Sequence, residues 1–230
     1  RDRIPRTDRG AAIDRAQPGG GIAVIDGDKI VFVANRLSHD GGYDEVIDSQ
    51  DWHTPDHGSF AGQHPGVAEF ALGVLNGIAQ RFWPRHGVMN THDSEFHQDL
   101  DRSMIKKTFR KGSDSRVDSY SAFYDNGRSA SAALKQQYPF LGQSTGLAGY
   151  IIAQTLAAGA DEVHIDVIGL ALDYCVAFSA LDAAGESFNG IPFTVRVILD
   201  GTRAIGDVDA AVADLIAHNV AVIDSSAVLP

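Results

Sequence analysis

Short β-branched runs alternate with helix-length stripes along this chain, and few architectures accommodate that order. "EVHIDVIGL" (162–170) places Val163, Ile165 and Val167 on one face of a strand. "DYCVAFSALDAAG" (173–185) reads as a helix, with Asp173 near its start and Gly185 at its end. "FTVRVILD" (193–200) is a strand, "DVDAAVADLIAHN" (207–219) a helix and "VAVIDSS" (220–226) a last strand. Upstream, "DKIVFVANRL" (28–37) carries Ile30, Val33, Ala34 and Leu37 at helical spacing. "DEVIDS" (44–49) and the run Met104–Phe109 are strand-like. "VAEFALGVLNGIAQ" (67–80) again reads as a helical stripe, through Val67, Phe70, Ala71, Val74, Leu75 and Ile78. Strands alternating with helices imply right-handed crossovers and an α/β fold, a mostly parallel sheet with helices on both faces. Ligands in such sheets bind at the carboxyl ends of the strands. The loop at 51–57, the turn at 169–175 and Asp14 after "GAAI" all fall there.

The totals narrow the function classes. A chain of 230 residues is most simply one large domain or two small ones. Its formal net charge of -11 argues against a nucleic-acid partner, because phosphate binding needs clustered Lys and Arg. No apolar run approaches the ~18–20 residues that cross a bilayer, so no membrane partner is expected. The opening "RDRIPRTDRG" lacks an apolar signal-peptide core. Cys175 is the only cysteine, which precludes an internal disulfide and fits a reducing compartment, so a cytoplasmic protein is expected.

That cysteine has two readings. A lone Cys is commonly a small buried hydrophobe packing a helix against a sheet. Cys175 also follows a strand and a tight "GLALDY" turn and opens a helix, where free N–H groups and the dipole stabilise a thiolate. The same N–H groups suit an oxyanion.

"SQDWHTPDHGSFAGQHPG" (49–66) gathers potential ligands. Asp51 and His53, two apart in an extended segment, point the same way. With His86 of "RFWPRHGV" as a third ligand and His57 as a candidate fourth, they form a mixed O/N set with open positions, suited to Zn, Fe or Mn. Most D-x-H pairs are surface loop residues. His39, His92, His97, His164 and His218 show no ligand spacing, and His64 is ambiguous. Lys111 follows a strand-like run and is either a solvated charge or the partner of a nucleophile. Asp14 is equally an ordinary turn carboxylate before a Pro-Gly run.

Together, "SQDWHTPDHGSFAGQHPG", "FWPRHGV", "SEFH", "KGSDSRVDSYSAFYDN", "GLALDYCVAFSALDA" and "SSAVL" resemble the isochorismatase-like hydrolases, in particular the nicotinamidase/pyrazinamidase branch. The resemblance runs from about residue 10 to the end. It implies one isochorismatase-like (Rossmann-like) domain over 1–230 with a central parallel sheet of about six strands. It implies a triad in which Asp14 takes the thiol proton, Lys111 stabilises the thiolate and Cys175 attacks the carboxamide carbon of nicotinamide. Backbone N–H groups of Ala171 and Cys175 would form the oxyanion hole, with a cis peptide near Ala171–Leu172. Trp83 and Tyr120 would wall the ring pocket. One divalent metal ion, zinc foremost and iron or manganese as alternatives, would be held by Asp51, His53 and His86. The partner is then a small-molecule amide, and a homo-oligomer is permitted. A Cys175 pKa below neutrality is expected. Several positions depart from the family pattern. The family's "DxQxDF" is "DRAQPG" here, Gly87 stands where a Cys is usual, Leu172 replaces a Thr, "NTHDSEFH" replaces "GTxGAEFH", and Asp48 lies in the strand before the metal loop.

Overall fold

The computed structural model describes residues 21, 22 and 24–230. In chain order the elements are α1 (Ile30–Asp40), β1 (Val46–Asp51), β2 (Leu72–Leu75), β3 (Ile78–Arg81), β4 (Ile105–Lys111), α2 (Ala132–Gln137), α3 (Leu147–Ala158) and β5 (His164–Leu170). A π-helical turn, Leu172–Val176, then leads into α4 (Ala177–Ala184), β6 (Ser187–Phe188), β7 (Ile191–Pro192), β8 (Thr194–Arg203), α5 (Val208–Ala217) and β9 (Ala221–Ile223).

The parallel pairing expected from the alternation is present. β5, β8 and β9 run parallel in that spatial order, and β1 pairs in parallel with β4. The number of strands differs from the six expected. Among the described residues there are five parallel strands, split three and two, and the "GAAI" run before Asp14 lies outside those residues. Val195 and Val197 of β8 pack in one core with Ala180 and Ala183 of α4 and Ala211 and Leu215 of α5. The alanines let α4 approach the sheet closely. Its remaining turns complete the 173–185 helix, whose first residues form the π-turn instead. α5 begins at an Asp207 cap, whose carboxylate accepts the Ala210 N–H at 3.1 Å.

The stretch 67–80 is not a helix. It holds an antiparallel hairpin, with Leu72 opposite Arg81 and Leu75 opposite Ile78. The turn residues Asn76 and Gly77 have φ of 48° and 84°, the doubly positive pair that the tight right-twisted hairpin turn requires. The "NG" dipeptide carried this signal, and the chance 3.6-residue spacing of apolar residues masked it. α3 was not anticipated. Its "LAGYIIAQTLAA" is apolar nearly all round, so no stripe stands out.

The register of the smaller sheet brings the site together. Asp51, last residue of β1, lies opposite Lys111, last residue of β4. β5 ends at Leu170, and the next five residues carry Cys175. Beyond β1, His53 bridges in parallel to Val88, with its N–H on the Gly87 carbonyl at 2.9 Å.

Candidate active site

Cys175, Lys111 and Asp51 meet where the strands end. The Lys111 ammonium donates to Asp51 Oδ1 at 2.5 Å, to the Ser119 carbonyl at 2.9 Å and to Cys175 Sγ at 3.4 Å. Lys111 is only 5% exposed. Burial works to lower its pKa, yet the Asp51 carboxylate and Cys175 beside it outweigh burial and hold it well above the usual lysine value. Burial likewise works to raise the Asp51 pKa, while Lys111, His53 and His86 keep that carboxyl far below the ordinary range. Lys111 is therefore a permanent buried cation in contact with the thiol.

The thiol itself departs from expectation. Burial pushes the Cys175 pKa up to about 11, against the lowering effect of Lys111 and with the Asp51 charge adding to the rise. A sub-neutral thiolate is not what this environment favours. The peptide geometry of the turn also differs by one residue, the cis bond being Leu170–Ala171. The Tyr174 and Val176 N–H groups both bond to the Ala171 carbonyl at 3.1 Å. Leu172 is 1% exposed and packs in the core, so the replacement of the family's threonine adds to packing there. Asp173 accepts the N–H groups of Ile205 and Gly206 at 2.9 and 2.8 Å, tying the nucleophile turn to the loop after β8.

Asp51, His53 and His86 come together with one potential ligand atom each, all within 4.8 Å of one another. His53 Nδ1 lies 2.7 Å from the Gly112 carbonyl, and His86 Nδ1 lies 2.8 Å from the Pro84 carbonyl. A carbonyl only accepts, so each Nδ1 carries the proton and each Nε2 presents a lone pair. That donor set fits a borderline divalent cation such as zinc. Burial lowers the His53 pKa to about 4, which keeps the ring neutral and ligand-ready near neutral pH. Gly87 has φ of 55°, and a Cβ there would sit 2.7 Å from the Asp51 Cβ. The glycine lets the His86 segment approach Asp51, at a position where a cysteine side chain would be strained. His57 does not join that triad. It groups instead with His53 and Asp118, both buried like itself.

Trp83 and Tyr120 are adjacent, with the indole N–H donating to the phenol oxygen at 3.2 Å. Tyr174 meets both rings edge-on, at centroid distances of 4.7 and 5.5 Å, and Phe178 meets Tyr120 at 5.0 Å. Tyr174 and Phe178 were not singled out from sequence, although Tyr174 immediately precedes the nucleophile. Asp48 is half satisfied. One oxygen pairs with Arg102 at 2.8 Å, and the other is buried without a partner among the described residues. His64 bonds the Gly58 carbonyl at 2.7 Å and packs on Phe82, a structural role. Asp14 lies outside the described residues.

A thiol held against a buried cation, beside aromatic walls and a two-histidine carboxylate cluster, suits covalent attack on a small carbonyl compound. The class is that of α/β cysteine hydrolases acting on small molecules. No protein-family model matches the chain. It is 41% identical over 189 residues to the nicotinamidase of Escherichia coli K12, covering 81% of this chain and 77% of that one. An Acinetobacter baumanii nicotinamidase/pyrazinamidase structure superposes with TM-score 0.75 at 34% identity, covering 93% of this chain and 92% of the other. The yeast nicotinamidase bound to the inhibitor nicotinaldehyde gives TM-score 0.73 at 25% identity, covering 94% and 95%. The chain belongs to the nicotinamidase family.

Proposed function

We propose that this protein hydrolyses nicotinamide to nicotinic acid and ammonia through a thioester on Cys175. The observation that carries the reading is the 3.4 Å contact between the Lys111 ammonium and Cys175 Sγ, beside the Asp51–His53–His86 cluster. Burial keeps the thiol protonated at neutral pH, so the proton must leave as sulfur attacks. We assign Asp14 as the acceptor, on the family resemblance of the segment around it. Sulfur then bonds to the carboxamide carbon, and the developing negative charge is met by Lys111 and by the N–H groups of Ala171 and Cys175. Asp14 returns its proton to the departing ammonia, and water cleaves the thioester to free the acid and the thiol. Trp83 and Tyr120, with Tyr174 and Phe178, would wall the pocket that takes the ring. A divalent ion on Asp51, His53 and His86, zinc foremost and iron or manganese as alternatives, would supply a Lewis-acid anchor for the pyridine nitrogen. An aldehyde analogue of the same ring inhibits the yeast relative, which is the behaviour of a carbonyl site with a nucleophile. Pyrazinamide keeps the ring nitrogen and the carboxamide, and the description of the Acinetobacter baumanii relative as both nicotinamidase and pyrazinamidase supports it as a second substrate here. No helix among the described residues is long and apolar enough to cross a membrane, and the lone cysteine supports a cytoplasmic setting.

The test is ammonia release from nicotinamide and pyrazinamide by the purified protein, its Cys175→Ala and Asp14→Asn variants and the chelated enzyme. Release that is lost in Cys175→Ala, falls at least about 100-fold in Asp14→Asn, and returns when zinc is added to chelated protein is expected. Near-normal release by Cys175→Ala would overturn the mechanism.

A further inference from the structure

One buried anion has no part in the chemistry above. Asp118 is 3% exposed. Its carboxylate accepts the Ser119 N–H at 2.8 Å and the Gln80 side-chain amide at 2.9 Å, both neutral donors. A buried carboxylate bonded only to neutral groups is costly unless a positive charge lies near.

The neighbouring side chain is incomplete in the complementary sense. His57 is fully buried, and its Nδ1 takes the Ser59 N–H at 3.2 Å. A ring nitrogen that accepts leaves the proton of a neutral imidazole on Nε2. That Nε2 has no partner among the described residues. Asp118, His57 and His53 each place a polar atom within 4.8 Å of the other two, so the carboxylate and the unpartnered imidazole share one buried cluster. The three do not form a second cation site alongside the first. His53 Nδ1 is committed to the Gly112 carbonyl, and its single Nε2 lone pair serves one ion.

The other side of Asp118 reaches the ring pocket. The Gln80 amide has one N–H for Asp118, and its second is shared between the Arg81 carbonyl at 2.6 Å and the Tyr120 hydroxyl oxygen at 3.2 Å, the same oxygen that receives the Trp83 indole N–H. Gln80 is 2% exposed, so the link is internal.

We propose that Asp118 is a positioning residue that couples the two halves of the site. Through His57 and His53 it holds the ligand cluster ready for a divalent cation, and through Gln80 it sets the Tyr120 wall against which the substrate ring lies. This rests on the metal reading given under Proposed function.

The experiment measures zinc affinity by chelator competition on stripped and reloaded protein, alongside nicotinamide kinetics at saturating zinc. Asp118→Asn keeps the shape and removes the charge. It is expected to weaken zinc binding about 10- to 100-fold, and to raise KM by a larger factor than it lowers kcat. Gln80→Met should raise KM and leave zinc affinity unchanged. His57→Gln should weaken zinc, and adding Asp118→Asn to it should cost little more, because the two act as one unit. A wild type that binds none of zinc, iron or manganese would overturn the metal reading and this proposal with it. A wild type that binds zinc while folded Asp118→Asn binds it equally would overturn the proposal alone. Should Asp118→Asn fail to fold, an unchanged zinc affinity in His57→Gln together with an unchanged KM in Gln80→Met overturns it.

Discussion

At Cys175 two opposing effects act on one atom, and their balance decides what the residue can do. Lys111 at 3.4 Å favours the thiolate, while burial and the Asp51 charge favour the thiol and carry the pKa to about 11. Because Cys175 is the only cysteine, its alkylation reports this balance directly. In chelated protein the iodoacetamide rate is expected to be slow at pH 7 and to rise about tenfold per pH unit toward the thiol pKa. Lys111→Met removes the stabilising cation and should slow alkylation further at every pH below that point. A rate already at its plateau at pH 7 would show that the thiolate is the resting form, and the step in which a base removes the proton would then be unnecessary.

At the scale of elements, two short connections hold the site elements in place. Asp173 receives two backbone N–H groups from the loop after β8, and so fixes the turn that carries the nucleophile. Asp173→Ala leaves both donors without their partner. It is expected to cost about 1–3 kcal/mol in urea unfolding and to lower kcat more than it changes KM. The β2–β3 hairpin depends on Gly77, whose φ is 84° and whose absent Cβ would lie 2.6 Å from Leu134. Gly77→Ala should therefore destabilise by about 1–2 kcal/mol, whereas Asn76→Gly, which keeps the turn conformation, should stay within about 0.5 kcal/mol. Equal midpoints for Gly77→Ala and wild type would contradict this turn geometry. The hairpin also shows why its stretch misleads a reader of the sequence. Val67, Phe70, Ala71, Val74, Leu75 and Ile78 fit a helical period by accident, and only a two-residue turn signal opposes them.

For the whole molecule, the buried histidines link acid stability to the site. In metal-free protein burial lowers the His53 pKa to about 4 from an unfolded value of 6.5. The unfolded chain therefore takes up a proton first as pH falls. The stabilising contribution of a neutral His53 is complete above about pH 6.5 and is lost as pH drops toward 4, on the order of 3 kcal/mol in all. The Asp51 carboxyl, with its pKa held down mainly by Lys111 against the effect of burial, extends the loss to lower pH. Thermal melts of chelated protein should show Tm falling steadily between pH 6.5 and 4.5, and His53→Gln should flatten that slope. An unchanged slope in the variant would mean that other groups govern acid unfolding. The sequence by itself determined the α/β class, the helices at 28–37 and 207–219 and the strands around β1, β4, β5, β8 and β9, because apolar periodicity is a local property. It also brought forward Cys175, Lys111, Asp51, His53 and His86, through the resemblance of the motifs that hold them to a known family, since each residue taken singly has an ordinary structural reading. Only the tertiary structure decided that Lys111 bonds Asp51 as well as the thiol, that His57 groups with His53 and Asp118, that Leu172 packs in the core and that burial around Cys175 works against the thiolate. Those outcomes depend on burial and on register between strands some 60 residues apart, such as Asp51 opposite Lys111, and no local pattern records either.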